Sequence, residues 1–236
     1  MNAGPPFVLP TPAVATTTHD GLTLHLPSTS EPSPAVLLIH GVPYAAQDRP
    51  QPSAWHIYRG YAAQLAGLGC VAVTVDHSPD GLPDEHRSLA AISKAIDAVR
   101  AHPQVDSDRI ALWYFSGGAP LSAGFLQTPA AWLRCVALTY PVLGDSELVT
   151  IRGVPPVEAV RGARGLPMVL TLVGNELPDV ALTQPPFVDA ARAAGVELRV
   201  IDVPNGRHGF DVLDHTDESR RAVGDALAAV TEYLRS

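Results

Sequence analysis

Apolar residues along the chain fall into short runs separated by longer segments with helical spacing. Six runs are aliphatic or β-branched almost throughout, a pattern typical of strands buried on both faces of a parallel sheet. They cover 35–39, 71–75, 110–114, 136–140, 168–173 and 198–203. Two intervening or following segments, 85–100 and 223–234, place their apolar residues on one helical face. This alternation predicts right-handed βαβ crossovers and a three-layer α/β/α sandwich with a mostly parallel sheet.

The first thirty residues have a different pattern. Two strand-like segments, 13–18 and 22–26, flank the dipeptide Asp20-Gly21, which is typical of a two-residue β-hairpin turn. They predict an antiparallel hairpin at one edge of the sheet. We expect residues 1–12 to be an irregular N-terminal segment. The whole chain, 1–236, is predicted to form a single domain because it contains no stretch long enough to be an interdomain linker.

The charge and the lengths of the apolar runs indicate which partners and which cellular location to expect. The 236 residues include 16 Lys or Arg and 24 Asp or Glu, a formal charge of −8, which argues against a nucleic-acid partner. No run of 18 apolar residues and no basic-then-apolar leader is present, so we expect no membrane span, no secretory signal and a cytoplasmic location. The two cysteines, Cys70 and Cys135, lie at the edges of apolar runs and are expected to be buried thiols.

Ser116 occupies a position suited to a nucleophile. An apolar strand ends near Tyr114, and the glycine pair Gly117-Gly118 precedes the next helical segment. A serine on this bend would adopt a strained backbone conformation that raises its hydroxyl above the carboxyl edge of the sheet. An ordinary helix N-cap serine fits the same local pattern, so this segment alone leaves both interpretations open.

Two backbone N–H groups could bind an oxyanion beside Ser116. The loop after the first apolar run can direct one donor toward the serine, and Pro43, which has no N–H, favours Val42 over Tyr44 for this role. The second donor would be the N–H of Gly117, directly after the serine. Two such donors are what a tetrahedral oxyanion requires.

His208 is the candidate general base. It lies in a loop after the last apolar run, between Gly206 and Gly209, where it can reach a neighbouring strand end. The loop after the run 168–173 offers Glu176 and Asp179 as the carboxylate that would orient the imidazole. Serine, acid and histidine therefore each follow a different predicted strand, in an order compatible with nucleophilic catalysis.

The same loop carries four residues that can ligate a metal: His208, Asp211, Asp214 and His215. No ligand pattern elsewhere in the chain supports such a site. The segment Gly67-Leu-Gly69 lacks the third glycine of a dinucleotide fingerprint and precedes a strand instead of following one. We therefore expect neither a metal nor a cofactor.

The chain resembles the α/β-hydrolase superfamily from residue 13 onward, and within it the dienelactone-hydrolase-like branch. The resemblance rests on Leu-Ile-His-Gly at 38–41, the segment 105–110, Phe-Ser-Gly-Gly at 115–118 and Arg-His-Gly-Phe-Asp at 207–211. It implies an α/β-hydrolase fold and a mechanism in which Ser116 attacks a carbonyl and His208 transfers the proton. Aligned on the glycine of the acid loop, Glu176 becomes the preferred carboxylate and Asp179 the alternative.

One departure from the family pattern and the length of one connection bear on the site. Tyr114 replaces the first glycine of the family's Gly-x-nucleophile-x-Gly pattern, so its ring must point away from the turn. The stretch 141–167 is too short for a large cap domain. Tyr44, Phe115 and Tyr140 are predicted to line an apolar pocket, and the resemblance implies a small carboxylic ester or lactone as the substrate.

A carboxylic-ester or lactone hydrolase is the preferred interpretation of these features. One alternative is a hydrolase-fold binding module with impaired catalysis, which the crowded position of Tyr114 suggests. The other is an acyltransferase with the same three residues, which differs only in the acceptor of the acyl group. The expected partner is a small molecule in each case, with no nucleic acid and no membrane.

Overall fold

The fold is organised around one twisted sheet. The structure is a computed structural model that describes residues 4–41, 50–77, 84–147 and 149–236. Within these ranges it contains an eight-stranded sheet with the strand order β1-β2-β4-β3-β5-β6-β7-β8. The strands are β1 (Ala15–His19), β2 (Leu22–Leu26), β3 (Ser33–Ile39), β4 (Val71–Val75), β5 (Val105–Phe115), β6 (Leu133–Thr139), β7 (Pro167–Asn175) and β8 (Glu197–Arg207).

Only β2 runs against its neighbours among the described strands, and β3 to β8 are parallel to one another. Asp20 and Gly21 turn the β1–β2 hairpin with φ values of 48° and 81°, as a two-residue type I′ turn requires. The predicted edge hairpin and mostly parallel sheet are therefore confirmed. β5 begins at Val105, five residues before the predicted run, because residues 106–109 are polar and at least partly exposed and so interrupt the apolar pattern.

Helices cover both faces of the sheet, as the three-layer prediction requires. They are α1 (His56–Gly67), α2 (Glu85–Ala101), α3 (Ala123–Gln127), α4 (Pro156–Ala159), α5 (Pro178–Ala181), α6 (Gln184–Ala193), α7 (Phe210–Leu213) and α8 (Asp217–Arg235). One apolar layer packs α1 and α8 on the sheet, and the other packs α2, α3 and α6. Alternate residues of β5 enter opposite layers, Trp113 the first and Tyr114 the second, as the strand period of two dictates.

The segments outside these elements are short. Between β6 and β7, the described residues contain only α4 and a 3₁₀ turn at Val160–Gly162, so no large cap is present there, as predicted. Cys70 and Cys135 are buried free thiols. No helix in the described ranges combines the length and apolar character needed to cross a membrane.

The N-terminal segment is irregular but docked. Residues 4–14 form no helix or strand, yet Phe7 and Val8 are only 6% and 4% exposed. The Phe7 ring packs against Tyr61 with a centroid distance of 4.8 Å, and the N–H of Val8 donates to the carbonyl of Asp211. The segment therefore adds apolar cover to α1 and a backbone bond to the loop region after β8.

Two glycines inside helices give opposite expectations for substitution by alanine. A Cβ at Gly60 in α1 would overlap the Phe7 ring, whereas a Cβ at Gly224 in α8 would meet nothing within 4 Å. We expect Gly224→Ala to raise the free energy of unfolding by about 0.5–1 kcal/mol, because alanine stabilises a helix interior. Gly60→Ala should lower it by about 1–3 kcal/mol through overpacking. Urea unfolding of both variants measures this, and equal stabilisation would contradict the packing argument.

Candidate active site

Ser116 stands on a strained bend directly after β5. Its φ is +50°, a left-handed conformation that non-glycine residues rarely adopt. The N-cap residue of the turn that follows is Phe115, so Ser116 is not the N-cap serine considered above. The backbone that follows is a 3₁₀ turn, Ser116–Ser122, and not the predicted start of an α-helix. The reason is Pro120, which has no N–H to donate to the Ser116 carbonyl; that carbonyl accepts from Val142 instead, at 3.1 Å.

The end of β3 packs tightly against this bend. A Cβ at Gly118 would clash with the carbonyl oxygen of His40, and a Cβ at Gly41 would lie 2.9 Å from the Cβ of Ser116. Both positions therefore require glycine because two backbone segments approach each other there. This contact places Gly41 directly against the serine.

Three predicted residues meet at the carboxyl ends of their strands. The hydroxyl of Ser116 lies 2.7 Å from Nε2 of His208, and Nδ1 of His208 lies 2.7 Å from Oε1 of Glu176. We call this line of contacts the Ser–His–Glu chain. With Nδ1–H donating to the carboxylate, Nε2 is free to accept the serine proton. The Glu176 side chain is 2% exposed and the imidazole 19%.

The carboxylate of Glu176 is held on three sides. Besides His208, Oε1 accepts from the N–H of Leu177 at 2.8 Å, and Oε2 accepts from the side-chain amide of Gln184 at 3.3 Å. Gln184 is buried at the start of α6, and sequence reasoning did not single it out. Its position follows from the packing of α6 below the acid loop, for which the linear pattern carries no signal.

Asp179, the alternative acid, points elsewhere. Its Oδ2 accepts from the N–H of Glu147 at 2.6 Å, and the imidazole contact is made by Glu176 alone among the described carboxylates that the sequence offered. The acid loop that carries both carboxylates begins just after Gly174, where the pairing of β7 with β8 changes register. A Cβ at Gly174 would clash with the carbonyl of Pro204, so the two strands can approach closely just before the acid loop.

The loop carrying His208 is closed by an ion pair. The guanidinium of Arg207 donates to Asp214 at 2.6 and 2.8 Å and to the carbonyl of Leu213. Partial burial opposes ionisation of Asp214, but the bonds from Arg207 hold the pKa of this carboxyl below its usual value. The ends of the segment 207–214 are thereby tied together, and His208 is presented from a fixed loop.

The four residues that could have ligated a metal are not gathered around one point. Asp214 pairs with Arg207, Asp211 accepts from two tyrosine hydroxyls, and His215 is exposed. In the part of the chain that the structure describes, no group of three or more histidine, cysteine or carboxylate side chains is arranged to hold a metal ion.

The predicted oxyanion and pocket residues divide into two groups. Val42 and Tyr44 lie outside the described residues, and Gly117 follows the serine in the 3₁₀ turn. Phe115 and Tyr140 are only 1% and 4% exposed, so their side chains belong to the core, and their role in lining an apolar pocket stays a prediction. Strand alternation directs Phe115 into the α1 layer, and Tyr140, at φ +37°, turns its hydroxyl inward to Asp211.

Tyr114, two residues before the serine, is accommodated by the opposite face of the sheet. It is fully buried in the α2 layer together with Ala119 and Leu143, away from the bend. Burial raises the pKa of its hydroxyl well above the usual value. That hydroxyl has no hydrogen-bond partner within the described ranges. The bulky residue therefore occupies core volume and does not crowd the turn.

A stacked pair of neutral histidines supports the end of β3. The rings of His40 and His77 lie 3.8 Å apart and nearly parallel. Nε2 of His77 donates to the carbonyl of His40 at 3.0 Å, and its Nδ1 lies 3.1 Å from the hydroxyl of Ser88. Burial lowers the pKa of His40 to about 3 and that of His77 to about 4. His40 is thus a packed histidine at the end of its strand, and His77 holds its carbonyl in place.

A mostly parallel sheet with a reversed second strand and helices on both faces defines the α/β-hydrolase fold. Ser116, Glu176 and His208 follow β5, β7 and β8 of this sheet. Solved structures share this fold with the chain. Esterase 2 of Thermogutta terrifontis with bound butyrate has a TM-score of 0.68 at 20% identity, over 95% of this chain and 94% of that one. The same esterase phosphorylated by paraoxon gives 0.69 at 20% identity, over 95% and 94%.

A protein of Klebsiella pneumoniae, whose assignment as a dienelactone hydrolase is provisional, has a TM-score of 0.70 at 15% identity. The match covers 94% of this chain and 99% of that one. No protein-family model and no curated protein sequence matches the chain. The structural likeness therefore establishes the fold, and the chemistry has to be argued from the site.

The buried pair His40 and His77 makes the free energy of unfolding depend on pH. A buried histidine with a lowered pKa is neutral when folded and takes up a proton when unfolded, so stability is lost as the pH falls below about 6.5. Between pH 6.5 and 5, each such histidine removes up to about 2 kcal/mol. We expect His77→Gln, whose amide can still donate to the carbonyl of His40, to lose less stability over this range than the wild type. The difference should be up to about 2 kcal/mol. Urea unfolding at pH 7 and pH 5 tests this, and parallel losses in both proteins would contradict it.

Proposed function

We propose that this protein is a serine hydrolase that cleaves a small carboxylic ester or lactone through an acyl-enzyme on Ser116. The observation that carries the proposal is the Ser–His–Glu chain, with two contacts of 2.7 Å on a strained strand-to-turn bend. A hydroxyl, an imidazole and a carboxylate in this order are the arrangement that activates a serine nucleophile. A structural role alone gives no reason for the left-handed backbone at Ser116.

In the first half-reaction, Oγ of Ser116 attacks the ester carbonyl carbon and passes its proton to Nε2 of His208. The carbonyl π electrons move to oxygen, and a tetrahedral oxyanion forms. Glu176 stabilises the imidazolium through the Nδ1–H bond. When the oxyanion collapses, the bond to the leaving oxygen breaks and His208 returns the proton to it, which releases an alcohol or opens a lactone.

In the second half-reaction, water replaces the alcohol. His208 takes a proton from water, whose oxygen attacks the acyl carbon, and the imidazolium then protonates Oγ of Ser116 as the acyl bond breaks. The products are a carboxylic acid and free serine. The oxyanion in both halves would accept from the N–H of Gly117 and from that of Val42, the two donors that the sequence indicates.

A glutamate in place of the commoner aspartate fits the local geometry. The longer side chain spans from the acid loop to Nδ1 of His208, and the bonds from Leu177 and Gln184 remove its freedom to rotate. An extra methylene would otherwise add conformational entropy to the carboxylate. Gln184 therefore supports the assignment of Glu176 as the triad acid.

The related structures suggest which substrates to test. The esterase with this fold is known with butyrate and with propionate bound and as a product of its reaction with paraoxon. Short acyl esters and organophosphorus reagents are therefore the natural probes for this chain. The absence of a large cap between β6 and β7 in the described residues is compatible with small substrates.

A fluorophosphonate probe tests the nucleophile directly. We expect the wild type to be labelled in a 1:1 ratio and Ser116→Ala to take no label, because the probe requires an activated hydroxyl. Hydrolysis of p-nitrophenyl butyrate should fall by roughly 10³-fold or more in this variant. Ser122→Ala, which changes a buried serine at the end of the same 3₁₀ turn, is the matched control and should still be labelled.

Two outcomes would redirect the proposal. A folded wild type that takes no label would favour the binding-module interpretation of the fold. Labelling without hydrolysis, combined with transfer of the acyl group to an added alcohol or amine, would favour the acyltransferase. Mass spectrometry of the products distinguishes the carboxylic acid from the transferred acyl group.

The acid is tested by two substitutions that remove one charge each. Glu176→Gln should lower kcat on p-nitrophenyl butyrate by roughly 10²–10⁴-fold, because the imidazolium loses its carboxylate partner. Asp179→Asn should change kcat by less than about threefold, since Asp179 contacts the backbone of Glu147. A larger loss in the Asp179 variant would overturn the assignment of the acid. Both variants should unfold at urea concentrations close to that of the wild type.

A further inference from the structure

A buried carboxylate lies behind His208, and the Ser–His–Glu chain does not use it. Asp211 is fully buried and stands three residues after the histidine. Its carboxylate accepts from the hydroxyl of Tyr61 at 3.1 Å and from that of Tyr140 at 3.0 and 2.9 Å. Tyr61 belongs to α1 and Tyr140 follows β6. The carboxylate therefore joins the histidine loop to a helix and to a neighbouring strand end.

Tyr140 connects this carboxylate to the imidazole. Its ring lies 4.8 Å from the His208 ring, centroid to centroid, and its backbone is held at φ +37°. A left-handed tyrosine is unfavourable by itself and persists only where its surroundings impose it. The two contacts from its hydroxyl to Asp211 supply such a constraint. A continuous path thus leads from Asp211 through Tyr140 to the face of the imidazole.

We propose that Asp211 and Tyr140 are positioning residues for His208. The carboxylate fixes the tyrosine, and the tyrosine ring holds the imidazole in line between Ser116 and Glu176. The negative charge behind the ring also favours the imidazolium that forms during proton transfer. This inference rests on the proposed hydrolase function, because positioning matters only if His208 transfers protons.

The surroundings of Asp211 make this arrangement sensitive to pH. Burial raises the pKa of Asp211 to about 7, against the hydrogen bonds from Tyr140 and Tyr61 and the charge of His208. Tyr58 in α1 also faces this region, and burial raises the pKa of all three tyrosines, so they stay neutral donors. A protonated Asp211 carries an O–H on one oxygen, and that oxygen can no longer accept from both hydroxyls.

The energetic balance argues against a purely structural role. Within the described residues no ion pair involves Asp211, and an ionised carboxylate without one is unfavourable in an apolar layer. A neutral side chain of similar size would fill the same volume without that penalty. Strongly perturbed groups of this kind concentrate at functional sites, and Asp211 is three residues from the proposed general base.

The test compares Asp211→Asn and Tyr140→Phe with the wild type on p-nitrophenyl butyrate from pH 5 to 9. We expect Asp211→Asn to lower kcat by about tenfold or more and to change KM by less than about twofold, because orientation and charge act on the chemical step. The acid limb of log(kcat/KM) should be steeper in the wild type than in the Asn variant by about one in slope, because only the wild type has the Asp211 carboxyl to ionise.

Tyr140→Phe keeps the ring against His208 but loses the bond to Asp211, so its kcat should lie between those of the other two proteins. Tyr233→Phe is the matched control. It removes a tyrosine hydroxyl from α8 in the same apolar layer and should leave both kcat and the acid limb unchanged. Wild-type kcat and an unchanged slope in Asp211→Asn would overturn the inference.

A second readout does not depend on turnover. The Nδ1 proton that His208 shares with Glu176 should give a far-downfield ¹H NMR resonance in the wild type. We expect it to broaden or vanish in Asp211→Asn and in Tyr140→Ala, and to persist in Tyr233→Phe. Persistence in both variants would overturn the positioning role even if the wild type hydrolyses esters. If the wild type shows the signal but neither hydrolyses esters nor takes label, loss of the signal in Asp211→Asn and Tyr140→Ala would refute the proposed function and still support the positioning. If Asp211→Asn does not fold, Tyr140→Phe and Tyr140→Ala decide the question.

Discussion

The close approach of the end of β3 to the bend after β5 fixes where the serine stands. At Gly118 the backbone of the bend touches the carbonyl of His40, and at Gly41 the backbone of the loop touches Ser116. Side chains are excluded from both positions. Ser116 between them adopts a left-handed conformation with φ +50°, which by itself is unfavourable by about 1–3 kcal/mol. The surrounding contacts must supply this energy, and they do so through backbone bonds and core packing.

A second left-handed residue stands at the neighbouring strand end, and the two are linked. Tyr140 follows β6 with φ +37°, and two residues later the N–H of Val142 donates to the carbonyl of Ser116. The bend that presents the serine and the turn that presents the tyrosine therefore share a backbone hydrogen bond. A change in either turn should be transmitted to the other, because a close-packed core has little room to absorb it.

The sequence predicts the sheet, its edge hairpin and the helical layers because each depends on local periodicity. Ser116, Glu176 and His208 could also be proposed in advance, since each follows a strand and the carboxyl ends of parallel strands share one edge. The contacts that hold these three side chains in place could not be predicted from the sequence. His77, Gln184 and the partners of Asp211 are distant in sequence, and their roles arise only when separate elements pack together. Pro120 is different, because its missing N–H was a readable sign that no α-helix starts at Ser116.

Buried titratable groups of opposite kinds surround this edge of the sheet, and their effects on stability run in opposite directions. The pKa of Asp211 is about 7, above its unfolded value of 3.8, so this group destabilises the fold increasingly as the pH rises from about 4 to 7. His40 and His77, with lowered pKa values, destabilise it as the pH falls below about 6.5. Each effect amounts to about 1.4 kcal/mol per pH unit within its range.

The two effects therefore partly cancel between about pH 4 and 6.5, where acidification relieves Asp211 while it penalises the histidines. Above pH 7 the histidines have no further effect and Asp211 carries its full charge, which is its least favourable state for stability. That is also the state in which the carboxylate accepts from both Tyr61 and Tyr140 and backs the imidazole. The pH range that the proposed chemistry requires is thus one in which the fold gives up part of its stability, as expected where a buried charge is retained for function.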